Sequence, residues 1–280
     1  MPENRLTQQR RHSRAAARAG LTLAELLVAS TIMIMIATAM SMLAMTVHSA
    51  NDHCQGQAIA AQHGRVILER ISRAVSGATA SADFPGAIVV DEIVGANNYP
   101  QTLVVWHPEG AAVDADGLPR VDELLLFTTD PNAPNVLLEI RDPGNSAVAP
   151  MPASLSAWRT LVGQLRSSGT VERVVLSDAV RTGMVTTASS LNPATGLRGA
   201  VRFTRLMAPT ADEWGNYVEG DLDWDELNWP LDAYGTGTGA RRVAIQTELQ
   251  LASSRGVEAA DVPAVPFYGS ATLVYYLKHP

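Results

Sequence analysis

An uncharged apolar segment near the amino terminus constrains this chain more than any other feature. Residues 26–47 contain no charged side chain. As an α-helix, such a segment can cross the ~30 Å hydrocarbon core of a membrane. Residues 1–20, which precede it, hold five arginines and a single acid, Glu3. Because positively charged flanks stay on the cytoplasmic side, the sequence predicts one membrane span followed by an exported domain.

A single carboxylate, Glu25, stands at the start of this segment. An ionisable side chain in such an apolar setting is costly, and its default interpretation is functional. The residues leading into the segment read Gly20-Leu21-Thr22-Leu23-Ala24-Glu25. The order of these residues says more about function than the length of the apolar segment does.

This stretch resembles the class III signal of type IV prepilins and of the pseudopilins of type II secretion. In that signal a basic leader ends in Gly, and a hydrophobic residue, Thr, Leu, any residue and Glu follow. The resemblance implies that a prepilin peptidase cleaves between Gly20 and Leu21 and that the new amine of Leu21 is N-methylated. It also implies that Thr22 and Glu25 set the assembly register, with Glu25 paired to a terminal amine in the filament. Leu21 departs from the Phe that is usual after the cleaved glycine.

A basic flank followed by an apolar segment is also found in two simpler kinds of amino terminus. A plain signal anchor accounts for the basic flank and the span, but not for Glu25 or the Gly-Leu-Thr-Leu entry. A cleaved secretory signal has an apolar region of only about 7–15 residues, which is shorter than the one present here.

The sequence divides into four predicted parts: a leader (1–20), the transmembrane half of a stem helix (21–47), its amphipathic half (48–77) and an exported head (83–280). No proline occurs between Pro2 and Pro85, so nothing forces a break in the helix. Apolar residues recur at helical spacing in the second half: Ile59, Val66, Ile67, Ile71 and Val75. We therefore expect one helix from Leu21 to about Ser76, with Gly77 as its C-cap.

After Pro85 the pattern changes to short β-branched or leucine-rich runs between turn residues, which is typical of strands. The predicted strands are Ala87–Val94, Thr102–Trp106, Glu123–Thr128, Val136–Ile140, Val171–Leu176, Ala200–Leu206, Arg242–Leu251 and Thr272–Leu277. One short helix is predicted at Leu155–Arg166. The expected fold class is α+β and pilin-like, with a long N-terminal helix packed on an antiparallel β-sheet head.

The segment from Pro209 to Ala240 is predicted to be a long loop. It is rich in aromatic residues and holds three of the five tryptophans. Long loops are usually functional or disordered, and its aromatic content favours a packed or contact-forming loop over disorder. This loop and the strand after it are loosely similar to the C-terminal part of minor pseudopilin J.

Charge and cysteine content exclude some classes of function. Removing residues 1–20 leaves 16 basic against 27 acidic residues, a formal net charge of −11. Nucleic-acid binding requires basic surface, so no nucleic-acid partner is expected. Cys54 is the only cysteine, so the chain forms no intramolecular disulfide.

Calcium is the one cofactor that the sequence indicates, at a possible site in an acidic segment. Asp114, Asp116, Gly117 and Glu123 occupy the third, fifth, sixth and twelfth positions of an EF-hand loop. The first position falls on Ala112, however. The alternative is an acidic β-hairpin turn, since Asp-Gly is a common turn dipeptide.

No catalytic constellation is present in the sequence: it has neither a Gly-x-Ser-x-Gly elbow nor an HExxH pair. The chain is therefore predicted to be a non-enzymatic minor subunit, a pseudopilin, of a type II secretion filament in the inner membrane. Its expected partners are other pilin or pseudopilin subunits and the prepilin peptidase. The alternatives are a minor subunit of a type IV pilus and a membrane-anchored periplasmic binding domain that does not polymerise.

Overall fold

The computed structural model describes residues 22–94, 97–186, 195–230, 237–253 and 264–279. The chain forms two compact units, Met1–Asp52 and His53–Pro280. The helices are α1 (Leu23–Ser76), α2 (Leu155–Ser167) and α3 (Ala211–Glu219). The strands are β1 (Ala87–Val94), β2 (Asn97–Trp106), β3 (Leu124–Thr129), β4 (Leu137–Arg141), β5 (Glu172–Ser177), β6 (Thr182–Thr186), β7 (Thr195–Gly199), β8 (Val201–Ala208), β9 (Thr238–Ala252) and β10 (Ala264–Lys278).

The described part of the first unit is helical from Leu23 onwards, and every one of its side chains is exposed. The helix continues without a break to Ser76, where the Gly77 N–H bonds the Arg73 carbonyl. The predicted end of this helix at Ser76 is confirmed, whereas its predicted first residue, Leu21, lies outside the described residues.

In the second unit, α1 is amphipathic, as its sequence spacing predicts. The buried positions on this part of the helix recur every three or four residues: Ala60, Gly64, Ile67, Ile71, Ala74 and Val75. Gly64 permits a close approach, because a Cβ there would lie 2.6 Å from the Phe267 ring on β10. This glycine within the helix therefore serves close packing.

All the strand pairings are antiparallel, in sheets ordered β1-β2-β3-β4-β5, β10-β9-β8 and β6-β7. The five-stranded sheet is covered on both faces. Leu125 and Phe127 of β3 belong to the core that includes α1 and β9, whereas Leu124 and Leu126 belong to the core that includes α2. Successive strand residues point to opposite faces, and both faces of the sheet are covered. The first four residues of β3 are therefore all apolar, without alternation.

The α+β prediction is confirmed in its general form: a long apolar helix precedes antiparallel sheets. Several details of the predicted secondary structure are wrong. The sequence pattern predicts no hairpin at β6–β7. Three strands begin earlier than predicted: β2 at Asn97 rather than Thr102, β9 at Thr238 rather than Arg242, and β10 at Ala264 rather than Thr272.

The predicted long loop at Pro209–Ala240 is also corrected. It contains α3, a 3-10 turn at Trp224–Glu226 and the first residues of β9, while residues 231–236 lie outside the described part. Its described aromatic side chains pack on each other, with 4.6 Å between the ring centroids of Trp224 and Trp229.

Candidate functional site

The start of α1 is the candidate site, and its described residues form a capping box. The Thr22 N–H and hydroxyl both donate to Glu25 Oε2, each at 2.9 Å. The Glu25 N–H donates to Thr22 Oγ1 at 3.3 Å. Two N–H groups that the helix leaves unpaired at its first turn are thus satisfied. Gly20 and Leu21, the predicted processing residues, lie outside the described residues.

The same box begins α3. The Thr210 N–H and hydroxyl donate to Glu213 Oε2 at 2.7 and 2.8 Å, and the Glu213 N–H donates to Thr210 Oγ1 at 3.2 Å. Since both helices begin with Thr-x-x-Glu, the local geometry at Glu25 is explained by helix capping alone. A further role for Glu25 has to come from its surroundings.

Those surroundings differ sharply from those of Glu213, because the helix after Glu25 presents an uncovered apolar surface. Large apolar side chains from Leu23 to Val47 are all exposed, and α1 is long and apolar enough to cross a membrane. Apolar surface of this extent marks a protein or membrane contact.

The hydroxyl groups in this apolar segment need no external partner. Each donates to a carbonyl three or four residues earlier in the helix: Ser30, Thr31, Thr38, Ser41 and Thr46. Within lipid or a helix bundle, unpaired polar groups cost several kcal/mol. The segment is therefore chemically suited to an environment without water, and Glu25 at its start is the exception.

The proposed calcium ligands do not come together. Among the described residues, no group of three or more His, Cys, Asp or Glu side chains could hold a metal ion. Glu123 is only 5% exposed, and its carboxylate accepts from Trp106 Nε1 (3.1 Å), the Val113 N–H (2.6 Å) and the Arg120 N–H (3.0 Å). Asp114 accepts from the Gly117 N–H at 3.1 Å.

The calcium prediction for Asp114, Asp116 and Glu123 is therefore corrected to a structural turn. Glu123 completes a 3-10 turn at Val121–Glu123 and anchors it to the buried Trp106 ring. The EF-hand spacing carries no information about Trp106, which belongs to a neighbouring strand. A carboxylate that already accepts three hydrogen bonds has little remaining capacity for a cation.

Two groups of ion pairs in the second unit have no signal in the sequence. Arg70 on α1 binds Glu139 on β4, and this hydrogen bond raises the pKa of Arg70. The pair borders a groove of about 700 Å³ whose other basic lining residues are Arg65, Arg73, His107 and Arg141. Elsewhere in this unit, Glu92 on β1 binds both Arg166 and Arg198.

Comparisons with protein-family models, curated proteins and solved structures find no significant match to this chain.

Proposed function

We propose that this chain is a minor pilin-like subunit, a pseudopilin, of a type II secretion filament. It is a single-pass inner-membrane protein before assembly, its second unit lies in the periplasm, and its role is structural. One observation carries the proposal: a carboxylate begins a helix whose long apolar surface has no partner among the described residues.

The physical argument concerns what covers that surface. In the bilayer, lipid covers the apolar side chains of α1. In a filament, the helices of neighbouring subunits cover them, and water is then excluded around Glu25 as well. An unpaired charge in such surroundings is strongly unfavourable, whereas a matched pair is tolerated.

The matching charge in the proposal is the terminal amine of Leu21 on a neighbouring subunit, set free by cleavage after Gly20. Since one amine meets one carboxylate, the pair fixes the axial position of each subunit. The same chemistry would serve a minor subunit of a type IV pilus. The proposed partners are other pilin or pseudopilin subunits and the prepilin peptidase.

A second candidate, a membrane-anchored periplasmic domain that does not polymerise, is favoured by one observation. The capping box satisfies Glu25 within its own chain, so no neighbour is needed to account for the presence of this residue.

The mass of the purified mature protein separates the two candidates. The chain is expressed in cells with and without a prepilin peptidase and extracted from membranes. The pseudopilin proposal requires a product that begins at Leu21 with one added methyl group, formed only when the peptidase is present. An intact chain beginning at Met1 in both cells would instead support the second candidate, whereas cleavage after residue 47 would remove the anchor and contradict both.

A further inference from the structure

Three polar side chains share the inner face of the three-stranded sheet. In its register, Arg205 of β8 lies opposite Ile245 of β9, and Arg241 of β9 lies opposite Tyr275 of β10. Arg241 and Ile245 are four residues apart in one strand and point to the same face. Arg205, Arg241 and Tyr275 therefore lie on the face that carries the apolar core.

The two arginines have no counter-ion in the described part of the chain, where neither forms an ion pair with a carboxylate. Arg241 is 3% exposed, its guanidinium lies 4.6 Å from the centroid of the Trp214 ring, and its Nε has no hydrogen-bond partner. Arg205 is half-buried. Burial lowers the pKa of both arginines, and the Arg241 charge lowers that of Arg205 further.

A second arginine pair in the same unit shows how such charge is otherwise balanced. Arg166 and Arg198 both bind the Glu92 carboxylate, which lies between them. Burial and Arg198 lower the pKa of Arg166 to about 10. Arg205 and Arg241 are likewise two arginines on one face, here of adjacent strands, but the described residues hold no equivalent of Glu92.

A buried charge without a partner is strongly unfavourable. The ring of Trp214 offsets part of this cost for Arg241 through a cation–π contact. The Tyr275 hydroxyl is buried beside Arg241. Burial raises its pKa, although the interaction with Arg241 partly opposes this shift, so that the hydroxyl stays protonated and able to donate. Planar guanidinium groups bind carboxylate and phosphate oxygens well.

We propose that Arg205, Arg241 and Tyr275 form a binding site for an oxyanion, which takes the role that Glu92 has between Arg166 and Arg198. The oxyanion is either a free ion such as phosphate or a carboxylate supplied by a second copy of this chain. The site is independent of the proposed filament role, because it depends only on side chains of the second unit.

The test uses the full chain in detergent micelles. Thermal unfolding is followed by tryptophan fluorescence in phosphate, and in chloride at the same ionic strength, at two protein concentrations. A free anion gives a melting temperature that rises saturably with phosphate. A carboxylate from a second copy gives one that rises with protein concentration.

Both responses should weaken in Arg205→Gln and Arg241→Gln, with an apparent affinity lower by about tenfold or more, as expected for losing one charged hydrogen-bonding partner. Arg202→Gln and Arg242→Gln are matched controls, since both residues are exposed and lie on the same two strands. They should leave the response unchanged. If Arg241→Gln does not fold, the response of the Arg205→Gln variant decides the result, since Arg205 is only half-buried.

The proposal is overturned if the wild-type chain responds neither to phosphate beyond the chloride effect nor to its own concentration. It is equally overturned if the Arg205 variant and the two control variants respond alike.

Discussion

The two units of this chain use the same local chemistry but cover their apolar side chains differently. Each contains a helix that begins with a Thr-x-x-Glu box, at Thr22 and at Thr210. In the first unit, the apolar side chains that follow are exposed, whereas the second unit buries its own in two large cores formed by α1, α2 and the sheets. Local sequence thus specifies the helix starts in both units. Among the described residues, however, only those of the second unit contain the partners of their own apolar surface.

The largest expected effect is that of a substitution that separates the charge of Glu25 from its role in capping the helix. Because Gln can also complete a capping box, Glu25→Gln keeps the helix start and removes the charge. We expect this variant to insert into the membrane but to be lost from filaments, as Glu25→Ala would be. Glu213→Gln, the matched change in α3, should assemble like wild type. The measurement is the amount of each variant in sheared filament fractions from cells that also express the partner subunits.

Normal assembly of Glu25→Gln would mean that capping is the whole function of this residue, and the register argument would then fail.

The second prediction compares buried and exposed positions of α1. Ile71 is 2% exposed and Ile36 is 51% exposed. Ile71→Ala should lower the free energy of unfolding of the second unit by about 2–5 kcal/mol, since it leaves a cavity. Ile36→Ala should change it by less than about 0.5 kcal/mol. Urea unfolding in detergent, detected through tryptophan, reports on this unit selectively, because all five tryptophans lie in it. Equal losses in the two variants would contradict the distinction between covered and uncovered segments.

The third prediction compares the two capping threonines. Thr210→Ala should destabilise the second unit by about 1 kcal/mol, the usual cost of losing an N-cap. Thr22→Ala removes the equivalent hydroxyl in the first unit and should leave the same tryptophan-detected transition in place. A shift of similar size in both variants would show that the stability of the two units is coupled.

The smallest effect concerns pH. Burial raises the pKa of Tyr275, although Arg241 and Arg205 partly oppose this shift. The folded state therefore favours the neutral phenol. This contribution to stability is complete below the ordinary tyrosine pKa of about 10 and is lost as pH rises through the higher folded pKa. The melting temperature should fall less between about pH 9 and 11 in Tyr275→Phe than in wild type.

Tyr276→Phe is the control for this pH effect, since Tyr276 is the next residue of β10 and is exposed. The pH dependence of its melting temperature should follow that of wild type. If it changed as much as that of Tyr275→Phe, the pH effect could no longer be attributed to the burial of Tyr275.

The parts of the fold that the sequence predicts well are those specified by local pattern. The end of α1 at Ser76 follows from the apolar spacing and Gly77, and the predicted bounds of β1 match the observed ones, Ala87–Val94. Helix α3 is absent from the prediction although its signals are present, with Thr210 and Glu213 as a capping box and Gly220 in the left-handed conformation at its end. The prediction of one long loop from Pro209 to Ala240 passes over these signals and misses the helix that forms.

The errors at the candidate sites arise from contacts between distant parts of the chain. Glu123 has the spacing of a calcium ligand, but its carboxylate accepts a hydrogen bond from Trp106, which is 17 residues away. The shared face of Arg205 and Arg241, which form no ion pair with a described carboxylate, follows from the strand register and not from local sequence. Thr22 and Glu25 can be identified from sequence because a capping box is a contiguous motif, as is the processing signal that this stretch resembles.

The most direct test of the central claim is a structure of the assembled filament by cryo-electron microscopy, at a resolution that shows the first helical turn. The account predicts that the Glu25 carboxylate lies within about 4 Å, the ion-pair distance, of the Leu21 amine of a neighbouring subunit, with residues 23–47 buried among other helices. A filament in which Glu25 contacts only its own Thr22, and the neighbouring amine lies elsewhere, would contradict it.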